Sequence, residues 1–369
     1  TDTTNKTATV AKQALSVTAN AATASYDGKE HNATVKVNSA SWDGKTIVSG
    51  TSTSYGSTVT SAGVTGTTYN LLPSRTAKGT TSISYKITGG SYYNDFTGTS
   101  SVAINPAGLS GSVKITGTNT WGNTLTASVT NTNSATLSYQ WYSTTSTTAT
   151  GGTAISGATK NTYEIDKSLV GKYIYVVVTA SKANYDNATW NDITDTATNS
   201  TGPVGKQSAT ISFASSSVTK DYGNNAFTNT LTNTGDGTVN YTSSNTNVAT
   251  VDGAGKVTIK AATSTAITIT ASVTDGNNYT YSTKTASYTL NIGKKQDVVS
   301  ITEKSATYTG SSIAANTATA TSGTGITYTY YSNQDCSGTA LSGAPINKGN
   351  YSVKATSAGN SNYTSGSKC

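Results

Sequence analysis

Short runs in which every second residue is β-branched or aromatic recur along the whole chain, among them TSISYKIT (81–88), LSYQWYS (137–143), KVTIKA (256–261) and ITYTYYS (326–332). Alternation over that length puts one set of side chains on each face of a strand, and the Gly, Asn, Asp and Ser clusters between the runs are turn formers. No stretch carries apolar residues at helical spacing. The pattern predicts an all-β protein of antiparallel sandwiches and excludes a parallel sheet that would need crossover helices.

A longer period organises these runs. A short strand ending in a linker appears at Val10 (TATVAK), Val102 (SSVAINPAG), Val204 (GPVGKQ) and Leu290 (YTLNIGKKQ). Each linker is followed by an aromatic residue near a glycine: Tyr26 with Gly28, Trp121 with Gly122, Tyr222 with Gly223, and Tyr308 with Gly310. A third phrase precedes the closing strand, as SYYNDFTG from 91, ANYDNATW from 183, NNYTYSTK from 277 and SNYTSGSKC from 361. A repeat of about 100 residues is the size of one sandwich. The chain therefore divides into a terminal strand at 1–12 that belongs to a preceding or neighbouring module, and modules at 13–106, 107–205, 206–293 and 294–369, the last without its final strand.

Composition narrows function more than fold. Only 11% of residues are charged, too few for polyampholytic disorder, and the net charge of +7 comes from basic residues scattered one per strand or linker. Nucleic-acid binding needs a concentrated basic footprint, so none is expected; weak attraction to anionic surface polymers remains. No apolar run approaches the roughly 20 residues that span a bilayer. Methionine is absent, so Thr1 is not a translation start, and a leader or anchor is expected to lie outside this sequence. Two cysteines do not make a disulfide framework.

In the third module, Ser243, Ser244 and Asn245, then VATVD, then Gly255, Val257 and Thr258 resemble the bacterial immunoglobulin-like repeat of group 2, found in surface adhesins and intimin- or invasin-like stalks. The second module is similar to an immunoglobulin-type domain: Trp141 in YQWYS takes the place of the core tryptophan and LVGKYIYVVV resembles the approach to the strand that faces it. Tyr175 stands where that strand's cysteine would be, so the inter-sheet disulfide is missing. The first and fourth modules resemble related surface-protein repeats through SYDGKEHNATVKV and YKITGGSYYNDFTGTSSVAI, and through ATYTGSS and NKGNYSVKAT. The resemblance implies tandem immunoglobulin-like β-sandwiches arranged as an elongated rod, located outside the cell as a secreted or cell-surface stalk or filament of an adhesive structure.

Catalytic chemistry finds no foothold. His31 is the sole histidine, in a turn leading into a strand, without a positioned nucleophile. Glu30, Glu164 and Glu303 fall in three different modules, which rules out a glycosidase-like pair within one of them. One His and two distant Cys cannot hold zinc, and TDGNN at 274 and NYDN at 184 lack the acidic spacing of a calcium loop. No catalytic residue, metal ligand or cofactor is expected. The strand KYIYVVVTA (172–180) is apolar on both alternations. If Tyr173, Tyr175 and Val177 face the core, Ile174, Val176 and Val178 form an outward stripe that either meets a partner or is covered by its own module. A recognition role is the alternative to a stalk, with exposed aromatics such as Trp42 and Trp190 gripping a glycan or host protein. Cys336 and Cys369 both fall in the fourth module and could pair, although a last strand starting at the far end of the sandwich would keep them apart.

The two ends complement each other. The fourth module lacks a closing strand, while Thr7, Thr9, Val10 and Lys12 carry the alternation of one. An open sandwich edge recruits a strand of matching pattern. Either this is one unit of a longer tandem array, or copies of the chain join head to tail by strand donation, a heterologous contact that propagates into a filament.

Overall fold

The computed structural model describes residues 8–52, 55–60, 64–131, 133–194 and 202–369. Among them there is no α-helix. The sole helical turn is the 3-10 turn Lys167–Leu169, which starts where the Asp166 carboxylate accepts from the Ser168 backbone N–H. The chain separates into two compact units, Thr1–Gly205 and Lys206–Cys369.

Within the first unit, one sheet has the order Ala22–Ser25, Phe96–Asn105, Gly79–Ile87, Ile47–Gly50, Ser57–Thr60, and it faces a sheet of Val17–Asn20, Thr34–Val37 and Thr68–Asn70. Period-2 alternation supplies the core from both: Val35 and Val37 meet Ile83, Tyr85, Ile87, Val102 and Ile104. A second sandwich pairs Thr153–Ala154, Thr136–Thr144, Tyr173–Ser181 and Ala188–Ile193 against Thr162–Glu164, Thr124–Asn131 and Gly111–Thr116. Trp141 is fully buried at its centre, and its indole N–H donates to the Lys160 carbonyl at 2.9 Å, so the large apolar ring is buried with its polar atom satisfied.

The second unit opens with a sheet of Ser217–Asp221, Thr285–Gly293, Ile267–Val273 and Val239–Ser243 against Phe227–Thr228, Lys256–Ile259 and Ala249–Val251. Ile269, Leu290, Ile292 and Val257 fill this core, and the Phe213 ring meets Tyr288 edge-on at 4.8 Å. The SSNTNVATVDGAGK segment forms the turn after Val239–Ser243 and a hairpin in which the Asp252 carboxylate accepts from the Ala254 and Lys256 N–H groups. Gly255 at φ +78° closes that turn against the Tyr241 ring. Last comes a thinner arrangement of Ile326–Tyr331, Ser352–Ser357 and Ser367–Lys368, with Val299–Ser300 on Thr319–Ala320 beside a small core of Val299, Ala318 and Ala355.

The expectation that the fourth module has no closing strand needs correction: the strand is begun. Ser367 and Lys368 pair with Thr356 and Ala355 in the register by which Thr97 and Gly98 pair with Lys86 and Tyr85.

Tyr288 yields a test of packing. Its hydroxyl is buried without a hydrogen-bond partner among the described residues, and burial pushes the phenol up to about 12. An unpaired buried hydroxyl costs stability, so Tyr288→Phe should stabilise this module by about 1 kcal/mol in urea unfolding. A loss of stability would mean that the hydroxyl has a partner.

Candidate functional site

With no cluster of His, Cys, Asp or Glu able to hold a metal among the described residues, the repeated chemistry of this chain lies in its joints. Each begins where a closing strand ends. Ala22–Ser25 runs parallel to the end of Phe96–Asn105, and Ser217–Asp221 runs parallel to the end of Thr285–Gly293. In the second module the same parallel contact is the bridge of Thr120 with Gly205. The next aromatic N–H then donates back to the strand: Tyr26 to the Asn105 carbonyl at 2.8 Å, Trp121 to Gly205 at 3.3 Å, Tyr222 to Gly293 at 2.9 Å. Gly28, Gly122, Gly223 and Gly310 all have φ between +78° and +79°. The left-handed turn that places the aromatic ring requires glycine, which is why the aromatic and glycine recur together.

Beyond the closing strand the linker pairs in parallel with the Tyr of the third recurring phrase: Gln13 with Tyr93, Ala107 with Tyr185, Gln207 with Tyr279 and Lys295 with Tyr363. Where the linker offers a lysine, its ammonium caps the same hairpin, Lys12 on the Gly90 carbonyl, Lys206 on Gly276 and Lys294 on Asn360, at 2.7, 2.7 and 2.8 Å. Pro106 stands at this place in the second module, and there Lys182 lies over the Tyr185 ring.

The hairpin also reaches back to the preceding module. Tyr26 and Tyr185 meet edge-on at 5.5 Å, and the Lys78 N–H donates to the Asn184 carboxamide oxygen at 3.1 Å. In the second unit Tyr222 and Tyr363 meet edge-on at 5.5 Å, and the Ala262 N–H donates to the Asn362 carboxamide oxygen at 2.9 Å. One Asn-Tyr pair thus makes an aromatic contact and a backbone hydrogen bond across each of these two joints, a directional clasp added to a continuous ladder.

Residues 225–273 match the sequence profile of the intimin immunoglobulin-like domain. Comparison with curated proteins gave no match. Similar solved structures include a bacterial ice-binding adhesin of 1.5 MDa, described for host cell surface retention, at 13% identity over 77% of this chain and 99% of that one, with a TM-score of 0.28. Drosophila N-cadherin EC1-4 is similar at 11% identity over 75% and 73% of the two chains with a TM-score of 0.27, and the four N-terminal domains of Dscam1 isoform 6.9 at 12% over 77% and 74% with 0.22. Scores this low establish no shared arrangement of domains; the sheet orders and cores given above describe each module directly. The chain is a tandem array of immunoglobulin-like β-sandwiches.

These modules place the expected site residues as follows. Ile174, Val176 and Val178 are 0% exposed and pack on Trp141, so the outward stripe is corrected. Val176 stands directly opposite Trp141, and directly paired residues share a face. Tyr175 takes the other face, where it stacks on Tyr142 at 4.7 Å and its hydroxyl accepts from the Gly152 N–H. Trp42 is likewise core, 1% exposed with its indole N–H on the Thr88 carbonyl, and Trp190 is half-buried against the second core. Neither is the open aromatic that a glycan reader would display. His31 meets Asp27 at 3.0 Å in a turn. The Asp275 of TDGNN accepts from the Tyr281 N–H and pairs with Lys284 at 2.8 Å, a turn role.

Cys336 and Cys369 are bonded, with Cα atoms 5.9 Å apart. The sequence argument that kept them apart placed the closing strand after Cys369. In fact Ser367–Lys368 already runs down Ser352–Ser357 toward the Ser352 end, where Cys336 is anchored by its N–H on the Ser352 hydroxyl. Of the expected strand donors, Thr7 lies outside the described residues. Thr9 and Val10 are exposed, Val10 at 92%, and Lys12 makes the cap described above. On the fourth module, Ser352–Lys354 pairs with Ile326–Tyr331 on one side, and residues 302–318 form no ladder.

Two measurements probe this module. Cys336 and Cys369 are 33 residues apart, and loop-closure entropy of that length corresponds to about 3–4 kcal/mol. The Cys336→Ser/Cys369→Ser variant should lower hydrogen-exchange protection of Ser352–Ser357 by a comparable amount while leaving Ile267–Val273 unchanged. Burial acts to raise the Asp297 carboxyl, but hydrogen bonds from Ser322 and Ser357 outweigh it and hold the group below its ordinary 3.8. The stability it contributes is therefore complete above 3.8 and lost as pH falls below that value. Acid titration of the fourth module's unfolding should show this loss, and Asp297→Asn should flatten it.

Proposed function

We propose that this chain is a non-enzymatic, extracellular part of a bacterial surface adhesin, a stalk or filament in which immunoglobulin-like modules serve spacing and display. The observation that carries this reading is the repeated joint. Within each unit, strand, linker and hairpin are tied at the joint by backbone hydrogen bonds, and an Asn-Tyr clasp joins the first module to the second and the third to the fourth. That is an investment in mechanical continuity, and among the described residues no cleft with positioned catalytic groups accompanies it. The intimin-like profile over residues 225–273 favours a place on or outside the cell surface, and among the described residues no helix is long and apolar enough to cross a membrane.

Joining copies head to tail is part of the proposal. Val10 stands two residues before Lys12, as Ile104 stands before Pro106 and Ile292 before Lys294, and both of those isoleucines are core residues. On the register that pairs Ile104 with Gly79 and Lys368 with Ala355, Thr7, Thr9 and Val10 of one copy would fall opposite Ser352, Asn350 and Gly349 of another and continue the strand begun at Ser367–Lys368, with Val10 turned inward and Lys12 just beyond the ladder. Burying a valine and pairing a free sheet edge both favour the union.

Electron microscopy of the purified chain with and without residues 1–12 tests the idea. Fibres or end-to-end dimers should form with the segment and disappear without it. Fibres that persist unchanged in its absence would sink strand donation.

A further inference from the structure

We propose that Tyr308, together with the backbone N–H of Lys348, is the receiving half of a clasp whose other half is the Tyr92–Tyr93 hairpin of a second copy of this chain. This rests on the head-to-tail reading and names the contact that gives it direction.

Tyr308 precedes Gly310 at φ +78°, the turn that sets Tyr26 and Tyr222. Those two rings are half-buried under Tyr185 and Tyr363, whereas Tyr308 is 66% exposed and its N–H meets no acceptor among the described residues. Lys348 corresponds to Lys78. Counting back from the register pairs Tyr85 with Gly98 and Ala355 with Lys368 puts the two lysines at the same place, each before a glycine that leads into the strand. Lys78 gives its N–H to Asn184, while the N–H of Lys348 has no partner among the described residues. The fourth module thus repeats both receiving elements, an aromatic ring and a backbone donor, with neither engaged.

The complementary surface lies on the first module. Tyr93 pairs with Gln13 as Tyr185 pairs with Ala107 and Tyr363 with Lys295, so it holds the ring position of the clasp. Tyr92 takes the place of Asn184 and Asn362 and is 62% exposed. A tyrosine hydroxyl at that position lacks the short, fixed reach of the carboxamide, so the copy-to-copy clasp would be weaker than the internal ones and reversible.

The substitution Tyr92→Asn restores the Asn-Tyr pair and gives the inference a gain-of-function test. Sedimentation velocity of the full chain over a concentration series reads the dissociation constant. Tyr308→Ala should weaken self-association about two- to tenfold, the contribution of one edge-on aromatic pair. Tyr92→Asn should strengthen it about three- to tenfold, and the gain should vanish when combined with Lys348→Pro, which removes the donor. Tyr308 and Tyr92 are surface residues, so circular dichroism should stay unchanged in both single variants.

If Tyr308→Ala and Tyr92→Asn leave the constant unaltered while removal of residues 1–12 abolishes association, the clasp is wrong and strand donation stands. If the substitutions act and the deletion does not, the clasp stands alone. If neither the native chain nor Tyr92→Asn associates up to about 1 mM, both proposals fall.

Discussion

A closing strand held on both edges is the constraint from which the rest follows. In the first and third modules it pairs antiparallel with its hairpin neighbour and parallel with the segment that leads to Tyr26 or Tyr222. Such a strand has no free edge along that stretch, and its inward residues Val102, Ile104, Leu290 and Ile292 are core. It also determines where the chain leaves the module, because the linker starts at the last paired residue. The aromatic ring is set against that exit by a glycine turn and a hydrogen bond to the strand's final carbonyl.

From this exit the chain has little freedom. A linker of small polar residues would be a flexible coil, but here the first linker residues enter a parallel pair with the following hairpin and a lysine caps it. Backbone pairing, the lysine cap and the Asn-Tyr clasp are each modest on an energy scale. They act at three points of one joint, so bending it means giving up several at once. The joint's residues are common types, Lys, Asn, Tyr and Gly, whose role comes from position alone.

The fourth module shows what the constraint does when it is met only in part. Ser367–Lys368 starts the strand in the right register, the core is limited to Val299, Ala318 and Ala355 with partly buried neighbours, and 302–318 stays outside any ladder. The Cys336–Cys369 bond lies in this module, where the hydrophobic core is smallest. Small cores commonly depend on such a cross-link.

Alternation and turn residues in the sequence were enough to determine the strand content, the all-β class and the repeat, because period-2 patterning and glycine turns are local properties; the core place of Trp141 was implied by the resemblance to an immunoglobulin-type domain. The aromatic-glycine pair and the Asn-Tyr phrase were both visible as repeats, yet their meeting was not: Tyr26 and Tyr185 are far apart in sequence and touch only once two modules are stacked. Which face of 172–180 is buried was also undecidable, since both alternations are apolar; the register of Trp141 on Val176 settled it, and Tyr142 covered the other side. Trp42 looked available for binding because no local pattern reveals that its indole reaches the Thr88 carbonyl. Faces, registers and joints belong to long-range pairing, and only the tertiary structure decides them.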